Sequence, residues 1–346
     1  MAGQLKLGLN TGYWAGGPPP GVEESIAEAE RLGYDSIWTA EAYGSDCLTP
    51  LAWWGAKTEK LKLGTAIVQM SARQPAATAM AAMTMDILSG GRFQLGLGVS
   101  GPQVVEGWYG MPFAKPLART REYIGILRDI WARKGPLVAD GEHYKLPLPG
   151  GTGLAKPLKS SIHPLREDIP VFLGAEGPKN IAMCAELCDG WLAMLFAPAE
   201  QDVYKGYLAE GFSRPGARRS ADDFQVNATV PLIVSDDIDA AADMLRPFYA
   251  LYFGGMGAKG TNFHANVAIR MGYEAEVDEI ASLYLEGKKD EASAKVPRKL
   301  IEQMSLIGPK EKIRDDLAQW RESIVTTLLV TGDAATLRTA AELVLG

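Results

Sequence analysis

The feature that most constrains the fold of this chain is a regular alternation between short apolar runs and helix-like stretches. The eight runs, which we predict to be strands, cover residues 5–9, 34–39, 61–68, 93–97, 171–173, 190–195, 224–234 and 324–330. Most of them are apolar throughout, as the strands of a parallel sheet buried on both faces require. Eight strand–helix units predict an α/β protein with a (β/α)8 TIM barrel, and an open doubly wound sheet is the alternative.

Two stretches interrupt this alternation. Residues 134–168 are rich in proline and glycine and contain one short alternating segment at 141–146, which is consistent with a hairpin. Residues 254–306 form the second stretch, with helical pieces such as 277–285. The two insertions follow predicted strands 4 and 7, where barrels carry active-site loops. Because no linker is evident, we predict a single domain over residues 1–346.

Composition excludes several classes of protein. The formal net charge is −7, with 35 Lys and Arg against 42 Asp and Glu and no long basic run, which argues against a nucleic-acid partner. The first residues lack the charged and apolar regions of a signal peptide, and no run of 18 apolar residues predicts a membrane span. The odd number of cysteines, three, favours a reducing, cytoplasmic location.

Metal and hydrolase motifs are absent from the sequence. The three histidines, His143, His163 and His264, lie far apart, and neither H-x-H nor H-E-x-x-H occurs, so we expect no metal site. Cys184 and Cys188 have no third or fourth ligand nearby, and we interpret them as small residues on a helix face. Neither G-x-S-x-G nor the phosphate-binding P-loop pattern is present.

A glycine pattern, Gly96-x-Gly98-x-x-Gly101, follows predicted strand 4. A dinucleotide site would need a helix that opens at the third glycine, whereas we predict the next helix only from about residue 117. The pattern also lies at the fourth strand rather than the first. A loop that lets a flat ligand approach the backbone closely is the better interpretation, and a simple turn is the other.

The loop after strand 5 is a candidate anion site. Gly177 precedes Pro178 at a predicted helix start, which would leave free N–H groups at Lys179, Asn180 and Ile181. A helix N-terminus behind a glycine-rich loop is suited to bind phosphate. An ordinary turn between strand and helix explains the same residues.

Polar side chains also follow strands 2 and 3. At the end of strand 2, Glu41 could accept or relay a proton and Tyr43 could donate one, or the cluster could cap the next helix. After strand 3, the polar run includes Gln69, Ser71 and Arg73. Arg73 is a candidate anion clamp, and a salt bridge at the helix start is the alternative.

Taken together, residues 31–41, 63–67 with 73–75, 88–98 and 119–124 resemble the luciferase-like flavin and deazaflavin oxidoreductases. The resemblance is strong over residues 5–133, good over 170–200 and loose elsewhere. It is closest to the actinobacterial branch that uses coenzyme F420, an 8-hydroxy-5-deazaflavin. The segment LSGGRF at 88–93 is specific to the family but not to the cofactor.

The resemblance implies a cofactor across the C-terminal face of the barrel, F420 or alternatively FMN. It also implies a non-proline cis peptide between Ala66 and Ile67 behind the ring, and a phosphate at loop 174–180. The cofactor-lining residues implied in this way are Thr39, Thr65, Ala66, Ile67, Gln69, Gly98, Val99, Ser100, Gly101, Gly174, Ala175, Glu176, Gly177, Pro178 and Asn180.

One departure from the family concerns proton transfer. Many relatives have His directly after the acid at the end of strand 2, whereas this chain has Ala42. A proton would then come from Glu41, Tyr43, water or the substrate. Lys259 and Arg270 are candidates to bind the oligoglutamate tail of F420, or they are simply surface charges.

The reaction implied by the resemblance is hydride transfer between F420 and an organic substrate, and the family habit implies a homodimer. An FMN-dependent monooxygenase, often with a separate reductase, is the first alternative, and a non-catalytic deazaflavin-binding barrel is the second. Aromatic residues near the predicted mouth suggest an apolar, flat substrate, although core packing would also explain several of them. They are Tyr13, Trp14, Tyr43, Trp108 and Tyr109.

Overall fold

The computed structural model describes residues 4–14, 16–256 and 262–346, and its central feature is a closed barrel of eight parallel strands. The strands are β1 Lys6–Asn10, β2 Ser36–Thr39, β3 Lys62–Thr65, β4 Phe93–Gly98, β5 Val171–Gly174, β6 Gly190–Ala193, β7 Gln225–Thr229 and β8 Thr327–Val330. Each strand pairs with the next, and β8 closes the ring on β1 through Lys6 opposite Thr327 and Leu9 opposite Val330. The predicted TIM barrel is confirmed, and the open sheet is excluded.

Helices surround the barrel and build its insertions. They are α1 Val22–Arg31, α2 Leu48–Gly55, α3 Pro75–Leu88, α4 Pro102–Gly107, α5 Pro116–Ala132, α6 Pro178–Leu187, α7 Gln201–Phe212, α8 Ile238–Ala250, α9 Ala265–Arg270, α10 Glu274–Leu285, α11 Lys289–Ala294, α12 Arg298–Met304, α13 Lys310–Arg321 and α14 Ala334–Val344. No helix in the described part of the chain is both long enough and apolar enough to cross a membrane.

Large side chains fill the inside of the barrel, and glycines make room for them. Trp38 and Phe172 meet edge to face with ring centroids 5.3 Å apart. A Cβ atom on Gly64 would lie 2.3 Å from the Trp38 ring, and one on Gly190 would lie 2.3 Å from the Phe172 ring. The glycines are therefore required for close packing, and the barrel is a filled core rather than a channel.

One strand prediction is wrong where the chain leaves the barrel after β7. Residues 224–234 do not form a single strand: β7 ends at Thr229, and Leu232–Val234 pairs outside the barrel with Leu306–Gly308. The chain leaves the barrel at Pro231, which has no N–H group to continue the ladder. Helices α9 to α12 of the second insertion bury a separate apolar cluster with α8.

The first insertion contains the expected hairpin in a minimal form. Its two antiparallel strands, Ala139–Asp140 and Lys145–Leu146, have two residues each. The carboxylate of Glu122 on α5 accepts hydrogen bonds from three successive main-chain N–H groups of the hairpin turn, at residues 142–144. The hairpin is thereby tied to the outside of the barrel.

Candidate active site

The C-terminal mouth of the barrel has an apolar floor. Ala66 and Ile67 pack on the Trp38–Phe172 layer beneath them and are partly exposed above it. A Cβ atom on Gly98 would lie 2.7 Å from the Ile67 side chain, and one on Gly174 would lie 3.3 Å from it. Because both glycines lack a side chain, Ile67 lies directly against the backbone of β4 and β5, and a flat ring could lie on this surface.

The floor lies at a break in β3, where the peptide bond between Ala66 and Ile67 is cis, as predicted. β3 ends at Thr65, and a short strand, Val68–Gln69, resumes pairing with β4. The Ala66 N–H donates to the Thr39 carbonyl at 2.7 Å. This hydrogen bond joins the interruption of β3 to the end of β2.

Two of the residues that the family resemblance implies as cofactor contacts are buried beneath the floor. The Thr39 hydroxyl donates to the Cys47 carbonyl at 2.7 Å. The Thr65 hydroxyl both donates to the Gly96 carbonyl and accepts from the Gly96 N–H, at 2.9 Å each. Since both side chains are almost fully buried, Thr39 and Thr65 support the floor rather than face the mouth.

The glycine-rich loop after β4 differs from the prediction in one respect. A six-residue helix, α4, begins at Pro102 with Gly101 as its N-cap, so the expected delay of the next helix to residue 117 is wrong. Proline at the first helical position has a backbone angle that already suits a helix. Ser100 adopts a positive φ of 58°, and Val99 and Ser100 are partly exposed at the mouth.

Glu41, predicted as a proton relay, is enclosed by donors and is only 4% exposed. Arg73 donates to both of its carboxylate oxygens, at 2.7 and 2.8 Å. The main-chain N–H groups of Gln69 and Cys47 donate to it at 3.0 and 3.3 Å. A carboxylate held in this way links the loops after β2 and β3, and its burial argues against direct contact with a substrate.

Arg73 and Gln69 make further contacts between the loops after β2 and β3. Arg73 also lies 3.8 Å from Asp46, so the structure favours the salt bridge over the anion clamp. The Gln69 side-chain amide donates to the carbonyls of Glu41 and Ala42 at 3.2 Å. Its side-chain oxygen is buried and accepts no hydrogen bond from a described residue.

The predicted aromatic residues divide into two groups. Tyr13, Tyr43 and Trp108 are exposed. Trp14 packs against the Trp54 ring at 6.0 Å, and the Tyr109 hydroxyl donates to the Ala42 carbonyl at 3.1 Å. Tyr109 therefore joins the β4 loop to the β2 loop, while Tyr43 remains available at the surface.

The loop after β5 offers fewer free N–H groups than predicted. Asn180 and Ile181 both donate to the Gly177 carbonyl, at 3.0 and 2.9 Å, so they are not free. Among the described residues, the main-chain N–H groups of Gly177 and Lys179 find no acceptor. The side-chain oxygen of Asn180 is buried and also unpaired within this part of the chain. Loop 174–180 therefore keeps a smaller set of groups that could hold a ligand.

Glu176 lies in this loop and is open where Glu41 is enclosed. Its side chain is 25% exposed, and His264 Nδ1 lies 3.8 Å from its Oε1 atom. Burial raises the pKa of Glu176 to about 8, and the positive charge of Arg270 opposes that rise. Burial also lowers the pKa of His264 to about 4. Both side chains are therefore uncharged near neutral pH.

The second insertion, together with Tyr252 just before it, covers the loop with residues that sequence reasoning missed. The Phe263 ring lies 3.2 Å from the position of a Cβ atom on Gly177. The Tyr252 ring meets the His264 ring edge to face at 5.1 Å. The one signal in the sequence was the adjacent pair Phe263-His264 in the insertion after strand 7. Its contact with loop 174–180 could not be predicted, because the two segments lie far apart in the sequence.

The two basic residues considered for an anionic tail have different outcomes. Lys259 lies outside the described residues. Arg270 donates to Glu200 at 3.2 Å and to the Tyr204 hydroxyl at 3.0 Å. Arg270 is thus engaged within the protein, although its charge still acts on Glu176.

The described ranges contain no cluster of side chains suited to bind a metal ion. No group of three His, Cys, Asp or Glu side chains converges there. Cys184 and Cys188 are buried as free thiols, and the Cys184 thiol donates to the Gly190 carbonyl at 3.2 Å. These thiols are part of the barrel packing.

Comparison with known proteins identifies the family. The family model of the luciferase-like monooxygenases matches residues 8–327. A Mycobacterium tuberculosis protein, provisionally named a coenzyme F420-dependent oxidoreductase, is 54% identical over 99% of this chain and 100% of its own length.

Solved structures share the fold. The F420-dependent tetrahydromethanopterin reductase from Methanopyrus kandleri superposes with a TM-score of 0.80 at 23% identity, covering 99% of both chains. An F420-dependent secondary alcohol dehydrogenase superposes with a TM-score of 0.77 at 16% identity, covering 99% of this chain and 98% of its own. With the barrel, the family-model match and the 54% identical relative in agreement, this chain belongs to the luciferase-like monooxygenase family.

Proposed function

We propose that this protein is an oxidoreductase that transfers a hydride between coenzyme F420 and a small organic substrate at the barrel mouth. The observation that carries the proposal is the position of two features along one edge of the mouth. An apolar floor of Ala66 and Ile67 lies on Gly98 and Gly174, and loop 174–180, with unpaired polar groups, begins at that same Gly174. A ligand with a planar ring and a phosphate fits this pair of features.

In this proposal the residues divide by task. Ala66, Ile67, Gly98 and Gly174 support the ring, and Val99, Ser100 and Gly101 flank it. The main-chain N–H groups of Gly177 and Lys179 bind the phosphate, with Pro178 fixing the start of α6. Ala175 positions the loop, because its carbonyl accepts a hydrogen bond from the Trp191 indole at 2.8 Å. Bound F420 would supply a carbon centre that accepts or gives up a hydride.

The relatives support this choice of cofactor. The relative of 54% identity is named for F420, and two structures with the same fold are F420-dependent enzymes. The chain's own part of the chemistry is to orient the two reactants and to exclude water.

Proton delivery in this proposal does not pass through Glu41. That carboxylate is a positioning group, because its partners are Arg73 and two main-chain N–H groups. Tyr43 is 68% exposed and, of the two residues predicted to act on protons, is the one that can meet a substrate. We therefore retain Tyr43 as the candidate proton donor, with solvent water as the alternative.

An FMN-dependent monooxygenase is the second candidate function. FMN also combines a planar ring with a phosphate, and the family is named for monooxygenases. The floor and the loop do not discriminate between the two cofactors by shape alone. The two functions differ in oxygen use, since reduced FMN can activate oxygen whereas the deazaflavin serves as a hydride carrier. A barrel that binds F420 without catalysis is the third candidate.

The test is a parallel titration of the purified protein with F420 and FMN at moderate salt, in which ligand fluorescence measures binding. The expected result is micromolar or tighter binding of F420 and at least tenfold weaker binding of FMN. A Gly98→Val variant should lose most of the F420 affinity, because its side chain would displace Ile67 from the floor. Gly107→Val, on α4 with open space around its Cβ position, is the matched control.

The outcomes separate the three functions. Preference for FMN with oxygen consumption would replace the proposal by the monooxygenase. F420 binding with no turnover across a panel of alcohols, ketones and enones would favour the non-catalytic barrel. We also propose a homodimer, which light scattering on the purified protein would test directly.

A further inference from the structure

The loop that we propose for phosphate contains an acid, Glu176, that lacks a strong cation partner. Loops that bind phosphate usually present N–H groups or cations, because a second negative charge would repel the ligand. Among the described residues, no Lys or Arg nitrogen lies within ion-pair distance of this carboxyl group, and the one basic nitrogen there is His264 Nδ1 at 3.8 Å. An ionised carboxylate would therefore oppose the proposed ligand.

Several elements pack around Glu176, whose side chain remains 25% exposed. Phe263 of the second insertion covers the adjacent Gly177. His264 lies next to the carboxyl group, and Tyr252 packs against the His264 ring. Arg270 acts from a greater distance and is bound to Glu200 and Tyr204. The carboxyl group is thus crowded by neighbours that do not neutralise it.

The protonation states of these neighbours favour an uncharged acid. Burial raises the pKa of Glu176 to about 8, despite the opposing charge of Arg270. His264 does not titrate between pH 6 and 9, because burial lowers its pKa to about 4. Burial and the nearby acidic groups Tyr13 and Glu176 raise the pKa of Tyr252 above its ordinary value, so it too stays neutral.

We propose that Glu176 meets the anionic group of the ligand as a neutral carboxylic acid that donates a hydrogen bond, so that binding retains one proton on this side chain. This inference rests on the proposed function, since it takes the phosphate of F420 as the anion. No covalent bond of the ligand is made or broken: below the pKa of Glu176 the carboxyl group already holds its proton, and above that pKa the carboxylate takes up a proton from solvent on binding. Glu176 is therefore a binding residue whose charge state sets the affinity.

The experiment measures the dissociation constant of F420 from pH 6 to 9.5 for the wild type, Glu176→Gln and the control Glu106→Gln. Glu106 lies on α4 at the same end of the barrel, outside the proposed site, and is exposed. For the wild type, affinity should be flat to about pH 7.5 and fall toward tenfold per pH unit above about pH 8.5. Glu176→Gln should match the wild type within threefold at pH 7 and should lack the fall, because glutamine is always neutral and can still donate.

Two further readouts make the result specific. A deazaflavin without the phosphate should show no difference between the wild type and Glu176→Gln at any pH. In the ligand-free protein, infrared difference spectra should show a protonated carboxyl band that disappears between pH 7 and 9 and is missing in Glu176→Gln. Ionisation of the ligand itself is common to all three proteins and cancels in the comparison.

The possible failures are distinguishable. If F420 binds but the wild type and Glu176→Gln share one pH profile, this inference is wrong and the proposed function stands. If Glu176→Gln loses F420 binding at pH 7, the ionised carboxylate and not the neutral acid takes part in binding, and this inference is wrong. If F420 does not bind at any pH, both proposals fail.

Discussion

Two glutamates at the same end of the barrel, Glu41 after β2 and Glu176 after β5, have opposite surroundings. Glu41 is 4% exposed and accepts hydrogen bonds from Arg73 and from two main-chain N–H groups. Glu176 is a quarter exposed and has no such donors within the described residues. The first is a carboxyl group fixed by hydrogen bonds within the structure, and the second is a group without such donors at the mouth.

The surroundings of the two glutamates divide the mouth into loops that support it and a loop that is available to a ligand. The loops after β2 and β3 are bound to each other through Glu41, so they form a rigid wall that holds the floor residues. The loop after β5 is contacted by Phe263 and His264 of the second insertion, and its free groups face a ligand in our proposal. Position at the end of a barrel strand alone does not separate these roles, whereas the donors around each carboxyl group do.

The largest expected effect comes from breaking the enclosed pair. Arg73→Met leaves Glu41 buried without its cation, so the free energy of unfolding should fall by about 3 kcal/mol. Urea denaturation at pH 7 measures the change. The double variant Glu41→Gln/Arg73→Met should recover part of the loss, because it removes the uncompensated charge.

The matched control for this prediction is Arg298→Met. Arg298 pairs with Asp239 at 3.0 Å, but both side chains are well exposed. An exposed pair contributes roughly 0–1 kcal/mol, so the control should change little. Equal effects of Arg73→Met and Arg298→Met would contradict the view that Glu41 is a buried anchor.

The next largest effect is the contribution of Glu176 to the pH dependence of the free energy of unfolding. The pKa of Glu176 is about 8 in the folded protein and near 4.5 when unfolded, so the folded state holds the proton more tightly. The contribution of Glu176 to stability is therefore full below pH 4.5 and is lost as the pH rises toward 8. Between pH 5 and 8.5, Glu176→Gln should gain at least about 2 kcal/mol relative to the wild type.

Chemical denaturation of both proteins at the two pH values measures this gain. An unchanged stability difference between wild type and Glu176→Gln across the range would mean that Glu176 titrates as an ordinary surface acid.

The smallest expected effect comes from removing the Phe263 ring, which covers Gly177 in loop 174–180. Phe263→Ala removes a half-exposed ring from Gly177, so the free energy of unfolding at pH 5, where the charge of Glu176 contributes little, should change by less than about 1 kcal/mol. Water would then reach the loop, and the pKa of Glu176 should fall from about 8 toward its ordinary value. An infrared pH titration follows this change, and an unaltered midpoint would show that Phe263 does not contribute to the burial of Glu176.

Much of the fold could be predicted from the sequence because parallel strands buried on both faces leave a direct pattern of apolar runs. The departures occur where contacts between distant segments decide the structure. Strand 224–234 is divided because Leu232–Val234 pairs with Leu306–Gly308, far along the chain. The prediction that the next helix begins only at about residue 117 is wrong because Pro102 starts α4, and a proline in the sequence is compatible with either a helix start or a loop.

At the candidate site, the backbone feature could be predicted from the sequence, but the contacts of the polar side chains could not. The family resemblance implied the cis peptide between Ala66 and Ile67, and the structure has it. The enclosure of Glu41 by Arg73 could not be derived, because residue type does not indicate which neighbour a carboxylate will meet. The approach of His264 to Glu176 likewise depends on how the second insertion folds back over the mouth.

The central claim is that loop 174–180 is where the ligand's anionic group binds, and hydrogen–deuterium exchange tests it most directly. In the free protein, the N–H groups of Gly177 and Lys179 have no acceptor among the described residues and should exchange quickly. Saturating F420 should slow exchange in a peptide covering residues 174–181 and leave residues 41–49 unchanged. A deazaflavin without phosphate should not slow it. Binding of F420 without protection of residues 174–181 would contradict the account.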